Sequence, residues 1–311
     1  MSKIAFIYPG QGAQKAGMGA DFYENSEIAR YIFDQAGEEL DLDMKELCFE
    51  ENDRLDLTEY TQAAMVTTCL AMTRVAESKG LKADITAGLS LGEYPAIAAA
   101  GGMNDMDAIR LVRKRGILMQ NTVPAGEGAM CAVISMAAEE IEKVIEPIAD
   151  VSVANYNCPG QIVITGKTDA VEEAAAKLKE AGARRTIMLN VSGPFHSQML
   201  VPAGEKLAEE LEHTRFHELR IPYVTNVTAE KVTDIRETPG LLTTQISSPV
   251  RWMQSMERMI ADGVEIGPGK TLEGFLRKID RSVKVFHISQ WEDVDKVCTE
   301  LADSGKMMEE A

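Results

Sequence analysis

Ser90 stands between two glycines in Gly88-Leu89-Ser90-Leu91-Gly92-Glu93. The segment joins a short run with β-branched residues, Ala83 to Ala87, to an alanine-rich stretch, Tyr94 to Ala100. A serine at such a strand-to-helix corner is a candidate nucleophile, because the sharp turn holds its hydroxyl out of the chain path. Gly88 and Gly92 remove side-chain bulk on either side of it. Backbone N–H groups at the start of a helix lack partners, so the amide of Leu91 can face a developing oxyanion. Pro95 fits only within the first turn or so of the following helix, which puts the helix start close to Ser90. The pattern G-x-S-x-G also suits a tight turn with a serine cap, so a catalytic reading needs a base elsewhere in the chain.

Only four histidines exist: His196, His213, His217 and His287. His213 and His217 fall in a charged, surface-like segment and His287 in a late strand. His196, in Gly193-Pro194-Phe195-His196-Ser197 where a strand ends and a helix follows, is the best-placed general base. Among the cations of the helix Ile109 to Gln120, Arg115 lies next to the small Gly116 and is the one that could turn inward. The others solvate a face. Gln62 lies near one end of a buried helix over Tyr60 to Ala76, where a polar cap is the plainer reading. Pro9 to Gln14 forms a glycine-punctuated loop at the carboxyl end of a first strand, Lys3 to Tyr8, the usual edge of a ligand crevice. It carries neither the G-x-x-x-x-G-K-[ST] nor the G-x-G-x-x-G spacing of a phosphate-binding loop.

These groups have to be held by a sizeable fold, and 311 residues with 45% hydrophobic content suffice for one large domain with an insertion. From Asn25, taken as a cap, Ile28, Ile32, Phe33, Ala36 and Leu40 follow helical spacing. Thr122 to Gly128 reads as a hinge. Beyond it the periodicity gives β-α-β-β-α-β: strands at 129–135, 151–155, 161–165 and 184–189, helices at 138–148 and 171–181, and Asn155 to Gly160 as the central hairpin turn. That order describes a ferredoxin-like unit. Ile221 to Asn226 reads as a strand, Gln245 to Trp252 opens a helix through Ile260, and Gly263 to Gly269 returns the chain to the sheet. Val294, Val297, Cys298 and Leu301 share a stripe on a last helix, which frays into Met307 to Glu310. The architecture expected is α/β: residues 1–125 and 194–311 as a large domain of α/β-hydrolase type with a mostly parallel sheet, and residues 126–193 as a small inserted α+β subdomain.

A net charge of −17 disfavours nucleic acid and anionic membranes as partners. Five cysteines (48, 69, 131, 158 and 298) without C-x-x-C spacing suggest neither a disulfide framework nor a zinc site, and point to reduced thiols in the cytoplasm. No apolar run has the length of a signal peptide's core or a membrane span. The clearest basic exception is Lys270 to Lys284, where Lys270, Arg277, Lys278, Arg281 and Lys284 face only Glu273 and Asp280. A solvated helix face is the plainer account of it.

Gly10-Gln11-Gly12, the Gly88 to Glu93 segment, Arg115, Gly193-Pro194-Phe195-His196 and Gln245, in this order, resemble the malonyl-CoA:acyl carrier protein transacylase family of bacterial fatty-acid synthesis over roughly residues 3–290. The resemblance implies malonyl transfer from malonyl-CoA to the phosphopantetheine thiol of acyl carrier protein, through an ester on Ser90, without metal or cofactor. It makes His196 the base, the amides of Gln11 and Leu91 the oxyanion hole, Arg115 the clamp for the malonyl carboxylate, and the backbone carbonyl of Gln245 the group that orients His196. Gln62 and Phe195 join Arg115 as substrate-binding positions, since a bulky ring before His196 would crowd an α-methyl group. One departure stands out: the family commonly has histidine immediately before the nucleophile, where this chain has Leu89. His196 alone would then move the proton, beside a more apolar wall. Carrier proteins are acidic, so the basic segment Lys270 to Lys284 is the candidate docking face, on a chain expected to be monomeric. The alternatives are a serine hydrolase or thioesterase of α/β-hydrolase type, a polyketide acyltransferase with other acyl specificity, and a non-catalytic carrier-protein docking module.

Overall fold

The computed structural model describes residues 3–259 and 262–303. The chain opens with β1 (Ile4–Tyr8), followed by helices α1 (Ala20–Asn25), α2 (Glu27–Leu40), α3 (Met44–Phe49) and α4 (Thr58–Ser78). After β2 (Ile85–Gly88), a single 3-10 turn over Ser90–Gly92 leads into α5 (Glu93–Ala99) and then α6 (Asp105–Thr122). Next come β3 (Gly128–Ile134), α7 (Ala138–Ile145), β4 (Val151–Cys158), β5 (Gln161–Lys167), α8 (Thr168–Glu180) and β6 (Arg185–Met188). The chain continues with α9 (Val201–Glu212), β7 (Tyr223–Val224), β8 (Lys231–Val232), α10 (Thr238–Gln245) and α11 (Trp252–Met259), and closes with β9 (Asp262–Ile266), α12 (Thr271–Ile279), β10 (Val285–Ile288) and α13 (Trp291–Asp303).

Two sheets result. The six-stranded one has the order β10-β9-β1-β2-β7-β8 and is parallel except for the β7–β8 pair. β1 and β2 are buried along their whole length, β1 as an unbroken apolar run and β2 with one polar residue, Thr86, whose hydroxyl donates to Ala96 O (2.8 Å). Their register sets Tyr8 beside Gly88, so the loop after β1 and the turn at Ser90 emerge side by side at the carboxyl edge of the sheet. The four-stranded sheet, order β4-β5-β3-β6, is antiparallel, and α7 and α8 bury Ile141, Ile145, Val171 and Leu178 against it. The backbone of Val250 stitches the two units together: its N–H donates to Ala154 O (2.8 Å) and its carbonyl accepts from Tyr156 N (2.9 Å).

Two close approaches fix the Ser90 corner. A methyl added at Gly88 would lie 1.9 Å from Gly92 O, and one at Gly92 2.4 Å from Tyr8 O. Any side chain there must displace backbone, a cost at or above the ~1–3 kcal/mol of ordinary overpacking. Gly116 serves α6 in the same way, since an added methyl would meet Glu59 Cα and Thr58 O of α4 at 2.9 Å. This tight packing brings Arg115 toward the centre of the molecule.

Several boundaries differ from the sequence expectation. Ser26, not Asn25, caps α2, accepting from Ala29 N, because Asn25 is already the last residue of α1. The turn between β4 and β5 shrinks to Pro159-Gly160, since Tyr156 and Cys158 still pair with β5. β6 ends at Met188, well before Gly193-Pro194, and β7 has two residues rather than six. Gln245 closes α10 instead of opening α11, whose first residue is Trp252. Ile260 and the tail Met307 to Glu310 lie outside the described residues. On α13, Val294, Val297 and Leu301 are buried as one stripe, with Cys298 half-buried beside them.

Candidate active site

Ser90 sits at the end of β2 with φ +54°, and His196, in the loop before α9, has φ +61°. Each left-handed residue costs roughly 1–2 kcal/mol, which the surroundings must offset. The Ser90 hydroxyl lies 2.8 Å from His196 Nε2. On the other side of the ring, Nδ1 is 3.0 Å from Gln245 O and 3.1 Å from Ser248 O. Both are carbonyls and can only accept, so Nδ1 carries the proton and Nε2 presents its lone pair to the Ser90 O–H.

Arg115 is fully buried. Its Nη2 donates to Ser90 Oγ (3.0 Å) and Gln245 Oε1 (3.1 Å), and its Nη1 donates to Gln62 Oε1 (2.7 Å). Among the described residues its Nε–H has no hydrogen-bond partner, and the guanidinium lies 5.7 Å from the Tyr94 ring centroid. Burial first, and the Arg115 charge second, push the His196 imidazole down from 6.5 to about 4. It is therefore neutral at physiological pH, the form a base needs. On the reading of His196 as the base, which is lost only when the ring takes up a proton, kcat/KM for acylation should stay level down to about pH 5. It should fall only as pH drops through about 4. An acid limb near the ordinary imidazole value in a pH–rate profile would contradict this geometry.

Beneath Ser90 lies a second layer that sequence reasoning missed. Asn226 Oδ1 accepts from Ser90 N (2.7 Å), and Asn226 Nδ2 donates to Gly88 O (2.7 Å). Glu93, fully buried, accepts from Gln245 Nε2 (2.5 Å) and Asn226 N (3.1 Å) through one oxygen, and burial raises its carboxyl to about 7. Gln245 Nε2 also donates to Ser90 O (3.1 Å). Glu93 could have been suspected from its place one residue after Gly92. Asn226 and the Ser248 carbonyl carry no local signal.

A cavity of about 300 Å³ opens over Ser90 and His196, between the Gly10–Ala13 loop, α12 and the four-stranded sheet. Leu89, Met119, Met130, Val163 and Phe195 give it an apolar wall. Leu89 packs so close to Gly10 that a methyl there would meet its Cδ2 at 2.6 Å. Gln11 and Gln62 border the same cavity, and Gln11 Nε2 donates to Thr58 Oγ1 (3.0 Å). Leu91 follows Ser90 in the 3-10 turn and is buried. The remaining histidines lie apart: His213 is exposed, and His287, on β10, binds Glu273 (2.7 Å). Lys270, just before α12, Arg277 and Lys278 on it, and Arg281 and Lys284 in the loop after it are all exposed, and Arg277 pairs with Glu273. Among the described residues no cluster of histidine, cysteine or carboxylate side chains could hold a metal ion, and no helix is long and apolar enough to cross a membrane.

The sequence matches the acyl transferase domain family over residues 5–282. It is 44% identical over 304 residues to a malonyl CoA-acyl carrier protein transacylase of Bacillus subtilis, covering 95% of this chain and 96% of the relative. The chain belongs to the malonyl CoA-acyl carrier protein transacylase family. A solved transacylase from Clostridium perfringens superposes with a TM-score of 0.94 at 40% identity, covering 98% of both chains. A malonyl-transacylase solved in complex with its holo type II PKS acyl-carrier protein gives a TM-score of 0.92 at 35% identity, covering 96% of this chain and 100% of that one. The mixed α/β fold and acyltransferase chemistry are thus those of this transacylase family.

Proposed function

We propose that this protein transfers a malonyl group from malonyl-CoA to the phosphopantetheine thiol of acyl carrier protein, by a ping-pong reaction through an ester on Ser90, in cytoplasmic fatty-acid synthesis. The observation that carries this reading is the Ser90 Oγ–His196 Nε2 contact of 2.8 Å with the Arg115 guanidinium 3.0 Å from the same oxygen. These distances support the reading of a nucleophile, its base and a cation suited to a carboxylate meeting at one hydroxyl. His196 Nε2 takes the hydroxyl proton as Ser90 Oγ bonds to the thioester carbon. The backbone amides of Gln11 and Leu91 receive the oxyanion, the C–S bond breaks, and the CoA sulfur leaves with the proton from His196. The carrier's thiol then repeats the sequence in reverse on the ester, so CoA and carrier are substrates and no cofactor takes part.

The Gln245 carbonyl orients the imidazole, and Gln62 and Phe195 shape the acyl pocket with Arg115. The unpartnered Nε–H of Arg115 supports a place for an acid group. Residues 126–193 form the inserted subdomain, whose strand order of second, third, first, fourth is that of a ferredoxin-like unit. The remainder, 1–125 and 194–311, forms an α/β-hydrolase-like domain of a monomeric enzyme. The B. subtilis relative, itself named for acyl carrier protein, supports the choice of acceptor. Intact-protein mass spectrometry after mixing with malonyl-CoA should show one malonyl adduct, mapping to Ser90. Active protein with an unmodified Ser90 would sink the mechanism.

The exposed cations of α12 and its following loop are the docking face in this reading, since Thr271, Leu272 and Phe275 of the same helix border the cavity. Charge reversal by Lys278→Glu with Arg281→Glu should raise the KM for carrier protein roughly tenfold, as loss of steered encounter predicts. The KM for malonyl-CoA should stay unchanged. Equal effects on both substrates would place the docking face elsewhere.

A further inference from the structure

We infer that Asn226, locked in place by Glu93, is a positioning residue that holds the left-handed Ser90 corner in its reactive geometry, acting where the sheet itself can no longer do so. The inference rests on the reading of Ser90 as nucleophile. β7 pairs with β2 only at Thr86–Tyr223 and Ala87–Val224. Beyond that point β2 turns sharply into Ser90, and a backbone ladder cannot follow it. The Asn226 side chain takes over: its amide nitrogen donates to Gly88 O and its amide oxygen accepts from Ser90 N, both at 2.7 Å. One carboxamide thus bridges two backbone groups on either side of Leu89, as a neighbouring strand would.

The bridge is itself fixed. Glu93 Oε2 accepts from Asn226 N (3.1 Å) and from Gln245 Nε2 (2.5 Å). With its nitrogen held by Glu93 and Ser90 O, the Gln245 amide has only one orientation, which turns Oε1 to Arg115 Nη2. The Gln245 backbone carbonyl in turn accepts from His196 Nδ1. Asn226, Glu93 and Gln245 are each almost wholly buried, so none of these bonds competes with water. None of the three lines the cavity over Ser90, and they set the Ser90–His196–Arg115 geometry from behind.

The test is the single-turnover rate of Ser90 malonylation, read by rapid quench and mass spectrometry, for wild type, Asn226→Ala and Asn226→Asp. Asn226→Ala should slow acylation about 100-fold, the effect of an ångström-scale misplacement of a reacting group. Half-saturation by malonyl-CoA should move less than about threefold, since the residue does not contribute to uniform binding. Asn226→Asp gives a readout that a merely structural role would not move. A protonated aspartate can accept from Ser90 N–H and donate to Gly88 O, whereas an ionised one can only accept. Its rate relative to wild type should therefore fall as pH is raised from about 5 to 8. The ionisable groups around it are Glu93, Arg115 and His196, and Glu93, raised to about 7 by burial and bonded to Asn226 N, titrates together with the new carboxyl, so the fall in the ratio belongs to the pair.

Asn226→Ala acylating at the wild-type rate would overturn the inference. So would an Asp-to-wild-type ratio that does not change with pH, whether or not the alanine variant folds. A wild-type protein that forms no adduct on Ser90 would instead remove the nucleophile reading itself.

Discussion

Replacing Ser90 with alanine is expected to lower malonyl transfer to carrier protein by at least about 10⁴-fold, the order seen when a nucleophile acting with a paired base is removed. His196 Nε2 and Arg115 Nη2 both reach Ser90 Oγ, at 2.8 and 3.0 Å. His196→Ala should cost nearly as much, and the double variant little more than either alone, because the two act as a unit. The decisive comparison is between those three rates in a carrier-malonylation assay with circular dichroism as a fold control. Multiplicative losses would mean that the two residues work independently, and undiminished transfer by Ser90→Ala would reduce the corner to turn chemistry and favour a docking module.

The second large effect concerns Arg115. Arg115→Ala should reduce kcat/KM for malonyl-CoA by roughly two to four orders of magnitude, since removing one partner of a buried, hydrogen-bonded charge pair costs about 3–5 kcal/mol. The same substitution also frees Ser90 Oγ, Gln62 Oε1 and Gln245 Oε1 from their donor. Acetyl-CoA, which has no distal carboxylate, separates the two consequences. Whatever both acyl groups lose reflects the displaced site, and whatever malonyl alone loses reflects the acid clamp. Arg115→Lys should fall between, since an ammonium keeps the charge without the planar fork. Losses equal for malonyl and acetyl would take the carboxylate-binding role away from Arg115.

How far the site could be read from the sequence depended on whether each residue's role was local. Ser90 was exposed by its two glycines and His196 by the scarcity of histidine. Arg115 was singled out only by its small neighbour, because the face of α6 that turns inward is decided by Gly116 packing on α4, 57 residues earlier in sequence. Asn226 looked like the end of an ordinary strand. Its function appears only when β2 is laid beside β7, since side-chain pairing with backbone leaves no periodic trace. Gln245 was read as opening the helix that runs to Ile260, whereas it closes the helix before it. Its backbone carbonyl lies 3.0 Å from His196 Nδ1 and also takes a long 3.4 Å turn bond from Ser248 N, so the end of α10 supplies the site with an acceptor. In the βαββαβ segment each element carries its own hydrophobic period, and its order was accordingly clear without any knowledge of long-range contacts.

The hydrogen bonds around Ser90 join it to Arg115 across 25 residues, to His196 across 106, to Asn226 across 136 and to Gln245 across 155. A chain emerging from the ribosome therefore displays Ser90 long before it has the imidazole to activate it or the amide to shape its corner. The growing polypeptide carries an ordinary, unreactive alcohol in the presence of acyl thioesters. Reactivity arrives only when the loop before α9 and the C-terminal end of α10 close over the sheet. Such non-local closure is slow and late in folding. On the reading of Ser90 as the nucleophile, its acylation reports the completed fold: a molecule that can be labelled has brought all four distant partners to the serine.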